Sequence, residues 1–104
     1  MQAVLHELKG RRITSVVRAN DYLQLYLDED TTLSVYNKAT FAPVLLETDS
    51  LVGAQIVKIM ENNIAIMLEF DTGTTFTIDM TDGGYNGPEA MQLTRMNQPI
   101  IIWN

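Results

Sequence analysis

The chain has 104 residues, a mass of 11.7 kDa and a formal net charge of −6 at pH 7. A chain of this length buries about 65% of its unfolded surface on folding, enough for one modest core with no room for a second domain. Its hydrophobic content of 46% predicts a folded chain. The lack of cysteine excludes disulfides, thiolate metal sites and thiol nucleophiles.

The acidic charge also limits the expected partners and location. Phosphate backbones and anionic membrane surfaces repel an acidic protein, so we expect neither a nucleic-acid nor a membrane partner. The N-terminal residues lack the basic segment and apolar run of a secretory signal, and the apolar stretches are far shorter than the roughly 20 residues that span a bilayer. These features predict a cytoplasmic protein.

The charge is unevenly distributed along the sequence. Residues 1–27 hold four basic and two acidic side chains, whereas residues 28–104 hold three basic and eleven acidic ones. Such segregation steers a protein toward an oppositely charged partner, including a second copy of itself. The alternative is that the solvated faces simply differ in composition.

An internal repeat organises the chain. A shift of 43 residues aligns 10–36 with 53–79 without a gap, and seven of the 27 aligned pairs are identical. The identical pairs are Gly10/Gly53, Ile13/Ile56, Asn20/Asn63, Leu25/Leu68, Asp28/Asp71, Thr31/Thr74 and Thr32/Thr75. We therefore predict a duplicated unit within one β domain spanning residues 1–104.

Each repeat is predicted to be a three-stranded antiparallel meander. The first strands are 12–18 and 55–61, and the following strands alternate apolar and polar side chains with the period of two that places one face on a core. The alternating apolar residues are Leu23, Leu25, Leu27, Leu33 and Val35 in one unit and Ile64, Ile66, Leu68, Phe70, Phe76 and Ile78 in the other. The expected fold is mainly β, packed as a small sandwich or a partly open barrel.

Short turns connect these strands. Asn20-Asp21 and Asn62-Asn63 suit two-residue turns, because asparagine enters the left-handed backbone region at little cost. Residues 28–31 and 71–74 are predicted to be tight hairpins, in which Gly73 can adopt positive φ and Asp30 does so less readily.

The remaining segments are less regular. Residues 38–50 form a connector whose apolar 44–46 run either packs over the sheet or adds a short strand, and residues 81–87 form a glycine-rich loop. At most one short helix is expected, near 88–93, because proline suits a first helical turn. Residues 99–103 predict a final strand buried on both faces. Residues 5–8 fit either a strand or a helical turn.

The sequence contains no recognisable catalytic motif. His6 has no second histidine or cysteine to complete a zinc site, and the acidic residues fit no calcium-loop pattern. The 83–87 segment lacks the Lys and Ser or Thr of a phosphate-binding loop, so its glycines are typical of a sharp turn. We expect no catalytic residue, no cofactor and no metal site.

Two surface features are typical of partner binding. Tyrosine combines a large contact area with a polar tip, and acidic hairpin tips attract basic surfaces. The candidate partner-binding residues are Tyr22, Tyr26, Asp28, Glu29, Asp30, Asp71, Asp82 and Tyr85. The alternative for the tyrosines is that they flank a second layer of the fold.

These observations predict a non-catalytic, acidic protein-interaction domain. Its concrete form is an immunity-like inhibitor that covers a basic protein such as a toxin. The alternative is a homo-oligomeric structural or assembly protein, since exposed sheet edges favour pairing with another copy. A small carboxylate-based enzyme and a ligand-binding barrel form a third class, and both require a deep pocket.

Overall fold

Two antiparallel sheets form the fold. A computed structural model describes residues 3–19 and 22–104, and within them the chain forms nine strands and three short 3-10 helices. The strands are β1 (Ile13–Arg18), β2 (Leu23–Leu27), β3 (Thr31–Val35), β4 (Ala39–Ala42), β5 (Ile56–Glu61), β6 (Ala65–Phe70), β7 (Thr75–Asp79), β8 (Met91–Arg95) and β9 (Ile101–Trp103). The 3-10 helices are Ala3–Leu8, Thr48–Leu51 and Asp82–Gly84. The mainly β prediction is confirmed.

The sheets exchange strands between the two halves of the chain. The first sheet has the order β1-β2-β3-β8-β9 and the second has the order β4-β7-β6-β5. β4 follows β3 along the chain but pairs with β7, while β8 follows β7 but pairs with β3. Each sheet therefore combines one predicted meander with a fourth strand from the other half.

The two meanders share one pairing register. Ile13 lies opposite Leu27 on β2, and Ile56, 43 residues later, lies opposite Phe70 on β6. A bulge follows Ile13 and Ile56 alike. The halves meet at an isolated bridge between Arg12 and Gln55, which are also 43 residues apart. The meanders are thus structurally equivalent, while their origin by duplication stays a prediction.

The inward side chains of both sheets build one core. The alternating positions predicted from the sequence are buried, with the exception of Ile64, which lies in the turn before β6 and is 63% exposed. The largest fully buried side chains are Phe70, Phe76, Leu5, Leu8, Ile13, Leu25, Leu33, Leu51, Ile56, Ile66, Leu68 and Ile78. Burial of this apolar surface is the main force that holds the sheets together.

The hairpin turns form where they were predicted. Glu29 and Asp30 adopt φ values of 57° and 53°, and Gly73 adopts 89°. Asn62 was expected to adopt the left-handed backbone conformation, but it does not. Instead, its side-chain Oδ1 accepts hydrogen bonds from the N–H groups of Ile64 and Ala65. The predicted Asn20-Asp21 turn lies outside the described residues.

Two expectations for the less regular segments need correction, and the open choice for the connector is decided. The helical turn expected within 88–93 does not form, because the Ala90 carbonyl accepts the N–H groups of Tyr36 and Asn37 and its own N–H donates to the Trp103 carbonyl. The final strand is not buried on both faces, since Ile102 is 41% exposed. Of the two alternatives for the connector, the added short strand is confirmed as β4, which ends before the apolar 44–46 run.

The N-terminal segment and the helices settle two further points. Residues 5–8 belong to the 3-10 helix Ala3–Leu8, which resolves the open choice there in favour of helical turns. In the part of the chain that the structure describes, no helix has the length and apolar character needed to cross a membrane.

Candidate functional site

A cleft opens at the end of the molecule where β1 and β3 end and β2 and β4 begin. Its volume is about 140 Å³. It is lined by Arg18, Ala19, Tyr22, Leu23, Val35, Tyr36, Asn37, Ala39, Phe41 and Asn86. We call it the end cleft.

Asn37 lines the end cleft and has a buried hydrogen-bond acceptor without a partner. The residue is only 4% exposed, and its Nδ2 donates to the Asp79 carbonyl at 2.8 Å. That bond fixes the orientation of the amide, because only the nitrogen can donate to a carbonyl. The Oδ1 atom is buried and has no hydrogen-bond partner among the described residues. Buried polar atoms are normally paired, so this acceptor calls for an explanation.

Two tyrosines form the aromatic wall of the end cleft. The rings of Tyr22 and Tyr36 are 5.7 Å apart at an angle of 50°, and Tyr22 is 37% exposed. Asn86 Nδ2 donates to the Tyr36 carbonyl at 2.8 Å, and the Lys38 N–H donates to the Gly84 carbonyl at 2.9 Å. The 81–87 loop is thereby fastened along the side of the cleft.

Two neighbouring concavities extend the end cleft into a groove. On one side Tyr36 and Asn86 are shared with a hollow that continues over residues 87–89. On the other side Ala39 and Phe41 are shared with a hollow that reaches the connector at 44–45. The groove follows the edge of β4 that has no strand partner in the second sheet.

The end cleft depends on residues that differ between the two halves. Ala39 on β4 lies opposite Ile78 on β7, and Met91 on β8 lies opposite Val35 on β3. Because Val35 and Ile78 are 43 residues apart and equivalent, Ala39 and Met91 occupy equivalent positions. Met91 is fully buried, so a large side chain fills in one half the space that Ala39 leaves open in the other. At the offset of 43, Met80 takes the place of Asn37.

The predicted acidic hairpin tips lie together at the opposite end of the sheets. The N–H groups of Asp28 and Asp71 donate to the carbonyls of Arg12 and Gln55, the two bridge residues. Asp71 Oδ1 also accepts the Gln55 N–H at 3.1 Å. These contacts place both tips beside the bridge between the halves.

Arg11 lies beside the first tip and partly neutralises it. Its guanidinium is 3.9 Å from Asp28 and forms an ion pair with Glu29. Asp30 remains exposed. The second tip, at Asp71, is also exposed to solvent.

The predicted tyrosines are spread over different surfaces. Tyr22 reaches the end cleft, roughly 17 Å along β2 from the acidic tip at the rise of an extended strand. Tyr26 lies on the outer face of the first sheet, where its hydroxyl donates to Gln24 Oε1 at 2.9 Å. The Tyr85 hydroxyl donates to the Asn104 carbonyl, and the Asp82 carbonyl accepts the Tyr85 N–H. The candidate residues therefore do not form one continuous patch.

Four residues that line the end cleft were not predicted from the sequence, namely Tyr36, Asn37, Ala39 and Asn86. Asn37 lies one position beyond the aligned repeat, and Ala39 becomes informative only once β4 is known to pair with β7. The contrast of Asn37 with Met80 at the offset of 43 was the available signal.

One carboxylate near the 81–87 loop has a shifted pKa. The Thr81 hydroxyl donates to Asp79 Oδ1 at 2.6 Å, and the Thr81 N–H donates to the same oxygen at 2.9 Å. These two hydrogen bonds stabilise the ionised form and hold the pKa of Asp79 below its usual value of 3.8. Among the described residues, no group of three or more His, Asp or Glu side chains is arranged to hold a metal ion.

A scan against protein-family models, a search of curated proteins and a search of solved structures found no match to this chain.

Proposed function

We propose that the chain is a non-catalytic protein-interaction domain that binds a basic partner protein. An inhibitor of the immunity type, which covers a cationic protein such as a toxin, is the concrete form of this proposal. The observation that carries it is the pair of neighbouring acidic hairpin tips, where Asp30 and Asp71 are exposed to solvent.

The size of the end cleft favours a protein partner over a small ligand. Pockets that enclose drug-sized ligands and cofactors hold roughly 300–1,000 Å³. The end cleft itself holds about 140 Å³, which is below that range.

The charge of the chain supports a basic partner. The net charge is −6, and Asp30 and Asp71 are exposed on neighbouring hairpin tips. Complementary charge raises the rate of encounter and orients the partner, and added salt weakens both effects.

The test compares two double variants with the same net charge. The partner is first captured from host lysate at low salt and released at high salt, then purified and titrated against the chain by calorimetry. Asp30→Asn with Asp71→Asn raises the net charge to −4 and keeps side chains that tolerate these turn conformations. Glu47→Gln with Asp49→Asn, in the exposed connector and 3-10 helix, is the matched control.

We expect the tip variant to lower the association rate constant severalfold more than the control does, because a rim charge acts mainly on association. Equal effects of the two variants would reject the hairpin tips as the contact surface. Failure to retain any basic protein, or binding that does not respond to salt, would reject the proposed function.

A homo-oligomer is the second candidate, favoured by the exposed edge at β9. Ile100 and Ile102 are 56% and 41% exposed there, and an uncovered apolar edge strand promotes pairing between copies. Sedimentation at concentrations from micromolar to millimolar tests this candidate. A constant monomer mass over that range would reject it.

A further inference from the structure

β4 leaves one edge of the second sheet open. It pairs with β7 on one side and is the last strand of its sheet. The Asp79 N–H donates to the Lys38 carbonyl at 2.8 Å, so the backbone of Lys38 is directed toward β7. Because the backbone groups of an antiparallel strand alternate in direction, those of Thr40 also bond toward β7. The N–H and carbonyl groups of Ala39 and Phe41 therefore point to the open edge.

The β4 edge lacks the charges found at the edges of β1 and β5. β1 ends in Arg18 and β5 carries Lys58 and Glu61, and charged edge residues discourage pairing with another chain. Backbone hydrogen bonds between the two halves also cover part of both edges. Residues 39–46, by contrast, contain no charged side chain. The sequence of β4 thus leaves this edge free to pair with another strand.

The apolar 44–46 run lies next to the open edge and is exposed. Val44 is 81% exposed and Leu46 is 98% exposed. Residues 44–45 line a hollow together with Phe41 of β4 and Arg18 of the first sheet, so the run lies on the open side of β4, away from β7. Adjacent large apolar side chains with such exposure are typical of an interaction surface.

We propose that a second copy of this chain pairs with the β4 edge, so that two β4 strands lie antiparallel about a two-fold axis at Thr40. Ala39 of each copy then lies opposite Phe41 of the partner subunit, and the two residues exchange the hydrogen bonds toward which their backbone groups are directed. The two second sheets join into one sheet of eight strands. This dimer goes beyond the proposed function, because it uses neither the acidic hairpin tips nor the β9 edge.

Self-complementarity selects a second copy as the occupant. The register that pairs β4 with itself brings the end of one strand beside the start of the other, where the end cleft opens. The exposed 44–46 run of each copy thereby lies against Tyr36 and Ala39, which line the end cleft. Each copy supplies both an exposed apolar run and the concavity that covers it, as an isologous interface requires.

The charges beside this surface are also complementary. Arg18 lines the end cleft, and the exposed Lys38 adjoins it. The exposed Glu47 directly follows the 44–46 run. In the dimer the acidic end of each run approaches the basic side of the other copy's cleft, which favours this orientation.

Amide hydrogen exchange of the wild-type chain, followed by NMR, tests the strand pairing directly. We expect a weak dimer, because a three-residue strand pair and one apolar run form a small interface. Raising the protein concentration from tens of micromolar to millimolar should slow exchange of the Ala39 and Phe41 amides at least fivefold. The Thr40 amide is the internal control, because it already donates to β7 and should change less.

A matched pair of variants tests the apolar run. Val44→Ser with Leu46→Ser should raise the Kd of the dimer at least tenfold in sedimentation, because it removes apolar area from the interface. Val52→Ser with Ile100→Ser removes the same number of atoms at positions that are 47% and 56% exposed, and should leave the Kd unchanged within twofold. Urea denaturation shows whether the variants fold, and the exchange measurement on the wild type does not depend on them.

Three outcomes would overturn the inference. A constant monomer mass up to millimolar concentration would show that the copies do not associate. A dimer in which Ala39 and Phe41 exchange as fast as in the monomer would show that β4 stays unpaired. A dimer weakened by the Val52 and Ile100 substitutions instead would place the interface outside β4. Salt-sensitive capture of a basic partner would survive each of these results, so the proposed function and this inference fail separately.

Discussion

Gly84 is predicted to be the most sensitive glycine of the 81–87 loop. A Cβ at this position would lie 2.5 Å from both the Cγ and the carbonyl oxygen of Asp79. The carbonyl belongs to the backbone and cannot rotate away, so Gly84→Ala must displace the loop or β7. The same loop supplies the carbonyl that accepts the Lys38 N–H.

The expected cost has two parts. Overpacking a closely packed site costs about 1–3 kcal/mol, and losing the hydrogen bond from Lys38 costs about 1 kcal/mol. Gly84→Ala should therefore lower the free energy of unfolding by about 2–4 kcal/mol. For a domain near 100 residues this corresponds to a fall in Tm of about 8–30 °C.

Gly87→Ala is the matched control for this prediction. A Cβ on Gly87 has no neighbour within 4 Å, and its backbone is outside the left-handed region. This substitution should leave stability unchanged or raise it by about 0.4–1 kcal/mol, because alanine reduces the entropy of the unfolded chain. Urea denaturation of the wild type and both variants gives the three free energies. A Gly84→Ala variant as stable as Gly87→Ala would refute the close approach to Asp79.

The left-handed glycines and the Asp79 carboxylate give two further predictions. Gly10→Ala and Gly53→Ala should each lower the free energy of unfolding by about 1–3 kcal/mol in urea denaturation, because both residues have φ near 90°. Their N–H groups also donate equivalent hydrogen bonds, to the carbonyls of Ile56 and Ile13 respectively. A loss confined to one variant would contradict the equivalence of the halves. Thr81→Val should raise the pKa of Asp79 toward 3.8 in an NMR titration, because valine lacks the donating hydroxyl. Since the folded pKa lies below the unfolded one, the stabilisation that Thr81 provides is present at neutral pH and disappears as the pH falls below 3.8 through the folded pKa. An unshifted titration of Asp79 in the variant would contradict the role of that hydroxyl.

The sequence was informative where structure depends on neighbouring residues. Alternation with a period of two predicted β2 and β6, and Gly73 marked its hairpin, because side-chain period and turn conformation are local properties. The segment from Pro88 shows the opposite case. A proline followed by an acidic residue favours a helical start, but Ala90 exchanges backbone hydrogen bonds with the two residues that follow β3 and with Trp103 of β9 instead.

The candidate site was harder to predict because its parts come from non-local pairings. Tyr22 was identified from the sequence as a surface aromatic residue, and it does line the end cleft. The cleft forms because β4, which belongs to the first half of the chain, pairs with β7 of the second half. Neither that exchange nor the burial of Asn37 has a signature in the nearby residues.

The equivalence of the halves separates what the fold requires from what the end cleft adds. A methionine at the place of Ala39 is compatible with this backbone, because Met91 is fully buried at the equivalent position. Filling the cleft with Ala39→Met should therefore leave the free energy of unfolding unchanged or raise it. A clear loss of stability in urea denaturation would contradict the equivalence of the two positions. Gly84→Ala should instead lower the stability, so the two variants distinguish a position where the fold tolerates a larger side chain from one where it does not.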